Sequence, residues 1–268
     1  MTDSYQGVRN HIHDHWPGYT AYTIASLLLL LAIWIMGSQG WWTFALFAVA
    51  LLLLLFYFMA AGLLLVRRQS QSPDLAYLFE IGQIKPTDRF VQMDVGRRDA
   101  GIFLSRRLTT GKVSVIDLYN PQLTPNPSLW RARQRLLHPR SDPRLIWLDG
   151  TLDLIPLPDN STPAVILVDT LGQFVQAGDR RRLLAEAYRI LTPGGRLLLS
   201  ERTRTLTNWL ALGPAANRLP EAAYWRDMLR EAGFHIQHQR LRHDVTTCFR
   251  ADKPATAAAY QLAFKLNV

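Results

Sequence analysis

Two stretches near the N-terminus constrain this chain more than any other feature: "YTAYTIASLLLLLAIWIMG" (Tyr19–Gly37) and "WWTFALFAVALLLLLFYFMAAGLLLV" (Trp41–Val66). Neither contains an Asp, Glu, Lys, Arg or His. A helix needs about 20 apolar residues to cross a hydrocarbon core of about 30 Å, and both stretches suit that length. A cleaved signal sequence accounts poorly for the first, because a second full-length run follows at once and no small-residue cleavage pattern precedes it. Only Ser38, Gln39 and Gly40 join the two. The expectation is therefore a transmembrane α-helical hairpin (19–66, spans 19–37 and 41–66) with both ends on one side. Arg67 and Arg68 follow the second run, and Arg9 with several histidines precedes the first, whereas the joining loop is uncharged. The positive-inside bias places the N-terminal segment (1–18) and everything after Arg68 on the cytoplasmic face of the cell inner (plasma) membrane. Trp16, Tyr19 and Tyr22 at one end, and Trp41 and Trp42 at the other, suit interfacial aromatic belts. With no ionisable group inside either run, ion transport and proton relay are not expected. The hairpin reads as an anchor in the lipid bilayer or a docking surface for a membrane protein partner. The small residues of "AAGLLL" (Ala60–Leu65) are candidates for helix packing.

The remainder reads as a linker (67–73), an α/β domain (74–254) and a C-terminal tail (255–268). "DLAYLFEIGQI" is a short helix ending near Pro86. Thereafter strand-like runs ("RFVQMDV", "KVSVIDL", "RLIWLDG", "AVILVDT", "PGGRLLLSER") alternate with helical ones ("GIFLSRRL", "SLWRARQRLL", "DRRRLLAEAYRIL", "AAYWRDMLREAGF"). Short β-branched or Leu-rich runs fit strands covered on both faces, and their alternation with helices predicts a Rossmann-like doubly wound, mostly parallel sheet. "HIQHQRLRH" and "VTTCFRADKP" predict two late strands pairing antiparallel at one edge. Lys and Arg exceed Asp and Glu by 30 to 21, a formal charge of +9. That excess suits an anionic membrane face. No aromatic-interleaved basic platform is present, so no nucleic acid partner is expected. The single cysteine, Cys248, excludes an intrachain disulfide framework and any Cys-rich metal site, and no metal is expected.

Two stretches carry a family resemblance: "DGTLDLIPLPDNSTPAVILVDTLGQF" and "LLAEAYRILTPGGRLLLSER", with a later "EAGF". Over 75–254 the chain resembles the class I S-adenosylmethionine-dependent methyltransferases, near the ubiquinone/menaquinone-type C-methyltransferases. The resemblance implies the class I methyltransferase fold and S-adenosylmethionine as cofactor, bound beyond the carboxyl ends of the strands. It places Asp94 and Gly96 at the turn after the first strand, beside the methionine part. Gly101 is either the last glycine of that turn, one step late, or, if the turn is shortened by about two residues, already in the helix that follows. Asp117, with Leu118 beside it, would accept the ribose hydroxyls; a helix cap or turn is the plain alternative for Asp117. Asp149 and Gly150 would meet the adenine amino group, or form a simple turn. Asp169 would face substrate or cofactor. Pro193, Gly194 and Gly195 serve the turn before the fifth strand.

The family turn Asp-x-Gly-x-Gly-x-Gly departs here to "DVGRRDAG". Arg98 stands at the second glycine, and Ala100 at the third with Gly101 one step late. Arg97 and Arg98 would crowd the cofactor or swing away, pairing with Asp94 or Asp99 or facing headgroups. His138, His235, His238 and His243 are candidates for an acceptor-side base by residue type only. The Arg131/Arg133/Arg135 and Arg180–Arg182 clusters read first as solvated helix faces. "TLTNWLALGPAANRLPEAAYW" (Thr205–Trp225) reads as an apolar lid over the pocket mouth or as a membrane-facing surface. Two functions remain open: a membrane-anchored methyltransferase acting on a small lipophilic acceptor, or a non-catalytic methyltransferase-like subunit of a larger membrane complex.

Overall fold

The computed structural model describes residues 9, 11–71, 74–96, 98–135 and 142–255. Arg97, His138, the first eight residues and the tail after Ala255 lie outside them. The chain divides into two compact units, one made of residues 1–72 and 205–218, the other of 73–204 and 219–268.

The first unit is built on two helices, α1 (Trp16–Ser38) and α2 (Trp42–Gln71). Pro17 opens α1, where its fixed φ suits the first turn and its missing N–H costs nothing. The end of α1 is a Schellman motif: Gly40 takes φ +72°, its N–H donates to the Gly37 carbonyl (3.2 Å), and the Trp41 N–H donates to the Met36 carbonyl (2.8 Å). That closure turns the chain within three residues and makes the expected hairpin. Both helices are long and apolar enough to cross a membrane. Their large side chains, among them Leu28, Trp34, Phe47 and Leu53, are exposed. Ala45 and Ala48 are buried, small residues that let backbones approach. Gly62 has open space around it instead, so "AAGLLL" does not use its glycine for close packing. α2 also runs on through Arg67 to Gln71, so most of the stretch read as a linker is helical.

The second unit opens with α3 (Asp74–Ile81), β1 (Arg89–Asp94), α4 (Asp99–Ser105), β2 (Lys112–Asp117), α5 (Pro127–Arg135), β3 (Leu145–Asp149) and β4 (Thr162–Val168). A 3-10 turn (Leu171–Gln173), α6 (Ala177–Ile190) and β5 (Leu191–Arg202) follow. The chain then enters α7 (Leu206–Leu212) and a 3-10 turn (Gly213–Arg218), both part of the first unit, and returns for α8 (Ala222–Glu231), β6 (His235–Arg242) and β7 (Thr246–Asp252). The seven strands lie in the order β3-β2-β1-β4-β5-β7-β6. β1 to β5 are parallel, and β7 pairs antiparallel with both β5 and β6. This is the expected doubly wound α/β sheet, with its late strands at one edge.

Alternate strand residues face two separate cores. Val91, Met93, Ile116, Val165, Leu167, Leu197 and Leu199 join the helices α6 and α8 through Leu183, Leu184, Trp225 and Leu229. Phe90, Val113, Val115, Ile166 and Leu198 join α3 and α4 through Leu75, Leu78 and Leu104. Burial on both faces is why these strands read as nearly unbroken apolar runs. The strand order reverses between β1 and β4, and there the carboxyl ends of the strands diverge to leave a crevice.

Candidate functional site

Three carboxylates mark the carboxyl edge of the sheet in one row. Asp94 of β1 is in register with Asp117 of β2, and Asp117 with Asp149 of β3. Their environments differ. Asp94 is buried; its Oδ1 accepts the Val95 N–H (2.9 Å) and its Oδ2 the Arg98 N–H (2.7 Å). It therefore clamps the turn that follows β1. Gly96 takes φ +90° within that turn, a conformation suited to glycine. Arg98 takes φ +59° and serves as the N-cap position of α4. Gly101 is buried in α4, where an added Cβ would stand 2.7 Å from Val115 Cγ2. It thus performs the packing task of the last glycine in such turns, holding helix against strand.

Asp117 is nearly buried and already engaged. Its Oδ1 accepts the Tyr119 N–H (3.1 Å), and its Oδ2 accepts a short hydrogen bond from Arg133 Nη1. Arg98 Nη2 lies 4.0 Å from the same oxygen. The Arg133 guanidinium, carried by α5, also stacks 4.8 Å from the Tyr119 ring and fills the concavity above Gly96 where a side chain would otherwise stand. Of the alternatives for Arg98, crowding the site is the one seen: its N–H meets Asp94, and its side chain turns inward and is buried. Leu118 is buried, its N–H donating to the Asp94 carbonyl (2.8 Å), and the Gly150 N–H donates to the Asp117 carbonyl (3.0 Å). These bonds stitch the three strand ends together. Asp149 is exposed at the end of β3.

Beyond β4, Asp169 takes φ +49° and its N–H donates to the Ser200 carbonyl (2.8 Å). Beside it is a group the sequence reading did not single out, Glu201. This fully buried carboxyl accepts the Leu171 N–H (2.7 Å) and the Gly172 N–H (3.1 Å), so it pins the loop after β4. Burial, with Asp169 close by, pushes its pKa up to about 8. Burial raises Asp74 at the start of α3 as well, again with Asp169 contributing. The signal for Glu201 was a carboxylate ending the apolar run "LLLSER". Arg133 had no comparable signal within a basic helix.

Among the described histidine candidates, His235 and His238 lie away from this edge, and His243, just past the end of β6, is on the carboxyl side at the outermost strand. His235 opens β6, which runs parallel to β5, so it lies at the opposite end of the sheet. His238 bonds Tyr77 Oη (2.7 Å), and His243 occupies the β6–β7 turn. Of the clustered arginines, Arg181 and Arg182 lie on the solvated face expected of them, whereas Arg180 turns into the domain. Arg180 donates to the Phe174 carbonyl and to Tyr224 Oη, Arg181 pairs with Glu231, and Arg182 with Asp153.

A profile described as a methyltransferase domain matches residues 103–199. A ubiquinone/menaquinone biosynthesis C-methyltransferase from Dinoroseobacter shibae is 30% identical over 189 residues, 60% of this chain and 72% of that protein. The chain belongs to the S-adenosylmethionine-dependent methyltransferase family. A carboxy-S-adenosyl-L-methionine synthase from Actinobacillus succinogenes is 34% identical over 122 residues, covering 45% of this chain and 47% of that enzyme. Among solved structures, an S-adenosylmethionine-dependent methyltransferase from Aquifex aeolicus aligns with TM-score 0.51 and 17% identity over 67% of this chain and 89% of its own. Another from Methanosarcina mazei aligns with TM-score 0.51 and 15% identity over 69% and 98%. These two likenesses concern the fold.

For this methyltransferase-family chain the cofactor implied is S-adenosylmethionine. The backbone is compatible with it: Gly96 leaves a cradle that a Cβ would fill, Gly101 seats α4, and Asp117 ends β2. One group stands in the way. Arg133 holds the carboxylate and the cradle together, and it does so with the far end of a flexible side chain that is 27% exposed.

Proposed function

We propose that this chain is a membrane-anchored, S-adenosylmethionine-dependent methyltransferase acting on a small lipophilic acceptor at the cytoplasmic membrane face, with a cofactor site that its own Arg133 closes at rest. The observation that carries the reading is the Arg133–Asp117 pair across Gly96. In this reading Asp117 accepts the ribose hydroxyls once Arg133 has swung out, Leu118 lies beside them, and Asp149 with Gly150 meets the adenine amino group. The Asp94-clamped turn brings the Gly96 backbone against the methionine part. Asp169 faces the acceptor side, and Glu201 fixes the loop that presents it. Bound there, S-adenosylmethionine supplies an electrophilic methyl group. A lipophilic acceptor such as a quinone, isoprenoid or lipid agrees with a hairpin anchor, because such a molecule diffuses within the bilayer; the name of the Dinoroseobacter relative points to the same class.

Asp117 cannot serve Arg133 and a ribose at once. A hydrogen bond to a charged group is worth about 1.5–3 kcal/mol, so its displacement weakens cofactor binding by roughly 10- to 150-fold. Calorimetric titration of S-adenosylmethionine into the full chain in detergent should show weak binding for wild type, tighter binding by that order for Arg133→Ala, and none for Asp117→Ala. Equal affinity of wild type and Arg133→Ala would remove Arg133 from the site.

The same pair favours a second reading, a non-catalytic methyltransferase-like subunit of a membrane complex. A guanidinium beside the place of a sulfonium repels it, and a permanently seated arginine leaves a fold without its chemistry. That reading predicts no binding by either wild type or Arg133→Ala at millimolar cofactor, and a stoichiometric membrane partner after extraction in mild detergent.

A further inference from the structure

We propose that the excursion between β5 and α8, residues 205–217, is inserted in the acyl-chain region of the bilayer as a cap on α2, rather than forming a water-facing lid. The inference rests on the anchor reading above. Four observations lead to it. The excursion belongs to the same compact unit as the hairpin, and α7 packs on α2. Gly213, at φ +58°, stands so close to Phe58 that an added Cβ would lie 3.2 Å from the ring. Phe58 is inside the uncharged run of α2, nine residues before Arg67, which at 1.5 Å per residue is roughly 13 Å toward the middle of the span. Whatever packs on Phe58 in a spanning α2 is therefore at hydrocarbon depth.

The chemistry of the excursion suits that depth. "TLTNWLALGPAAN" carries no charge, and Arg204 and Arg218 bracket it. Arginines at both boundaries can reach the headgroups while their stems stay apolar. Leu206, Trp209 and Leu210 are 73%, 47% and 43% exposed, a set of large apolar side chains that the protein itself does not cover. The polar Asn208 is buried instead. A backbone in hydrocarbon must satisfy its own polar groups, and this one is helical nearly throughout. The Thr205 side chain accepts the Asn208 N–H (3.2 Å) at the start of α7, and the Trp209 N–H donates to the Thr205 carbonyl (2.9 Å). The loop is closed at its base, where the Arg204 N–H donates to the Pro220 carbonyl (2.9 Å) and the Arg204 side chain pairs with Glu221. The chain thus leaves and re-enters the soluble domain at one point.

The test uses the full chain in phosphatidylcholine/phosphatidylglycerol vesicles. Cys248 is the native cysteine and is fully buried, so maleimide labelling addresses introduced cysteines alone. An environment-sensitive fluorophore is placed at Leu210→Cys, at Leu53→Cys in the middle of α2, and at Val175→Cys on the soluble domain. The expected result is a blue-shifted emission lost to lipid-borne nitroxide at positions 53 and 210, with position 175 lost only to aqueous iodide. Nitroxide quenching at 53 with iodide quenching at 210 overturns the insertion and leaves the anchor standing. Iodide quenching at both overturns the anchor and the insertion together. A blue shift at 210 that resists both quenchers overturns the bilayer as occupant and points to a protein surface, a second copy of this chain in such vesicles.

Discussion

Glu201 is buried so completely that its acid–base chemistry departs from that of a carboxyl in water, and the departure has a definite sign. Its carboxyl is held protonated in the fold up to about pH 8, whereas the unfolded chain releases that proton near 4.5. Between those values the native state binds more protons than the unfolded one, so stability is present below the unfolded value and is lost as pH rises through the folded one. Asp74 is shifted in the same direction, by burial first and by Asp169, and its contribution has the same sign. Urea midpoints should therefore fall from about pH 5 to about pH 8 and level off above. Glu201→Gln cannot ionise and should flatten this profile, while losing some stability at low pH because the carboxamide offers only one acceptor to two N–H groups. An unchanged slope in the variant would assign the loss to other groups. At this scale the sequence was informative where a residue's place follows from its strand. Asp94, Asp117 and Asp149 end strands that apolar runs delimit, and they meet in one register row, with Gly96 in the turn just after the first. Arg133 was not legible, because a long side chain sixteen residues from its partner finds that partner only through tertiary packing.

Elements were legible to the extent that burial enforces a pattern. The inner parallel strands are covered on both faces and the edge strand β3 only in part, yet all five read as short apolar runs, with ends shifted by a residue or two. Arg67–Gln71 was read as a linker because it is polar, yet residues of good helix propensity simply extend α2. The grouping of α7 with the hairpin could not be read at all, since nothing local tells whether an apolar excursion covers a pocket or joins another unit. The segment between β3 and β4 shows the opposite case, a turn-rich stretch fixed from outside. Arg189 of α6 donates to the carbonyls of Ile155 (3.1 Å) and Leu157 (3.0 Å) and pairs with Glu186 and Asp159. Glu186 in turn accepts the Ile155 N–H (3.0 Å), and its pairing with Arg189 holds its pKa below the usual range. Arg189→Ala should cost about 2–4 kcal/mol through the lost bonds to the Ile155 and Leu157 carbonyls, the first of which keeps the Leu157 N–H, and through the unpaired Glu186 carboxylate, and open 150–160 to proteolysis. Arg189→Lys should recover little, because an ammonium lacks the fork that reaches four partners. Full recovery with lysine would reduce the role to charge alone.

At the scale of the whole molecule two forces can hold this chain to a membrane, and salt weakens only one of them. A formal charge of +9 attracts anionic headgroups, but several of the arginines behind it are already paired within the domain. Their contribution at a surface is correspondingly reduced, and it is screened over about 3 Å at roughly 1 M salt. In the proposed anchor the hairpin would act through exposed Leu, Phe and Trp side chains, whose transfer from water does not depend on screening. Burying even a few of them is worth about 1.5–3 kcal/mol each, more than the roughly 1 kcal/mol of a basic residue near an anionic surface. Membranes carrying the full chain should therefore retain it through washes in about 1 M NaCl and through alkaline carbonate, and release it only to detergent. Replacing Arg131, Arg180 and Arg181 by Gln should leave that retention unchanged. Release by salt alone would make the attachment electrostatic and peripheral, and the hairpin would then have to be covered by protein rather than by lipid.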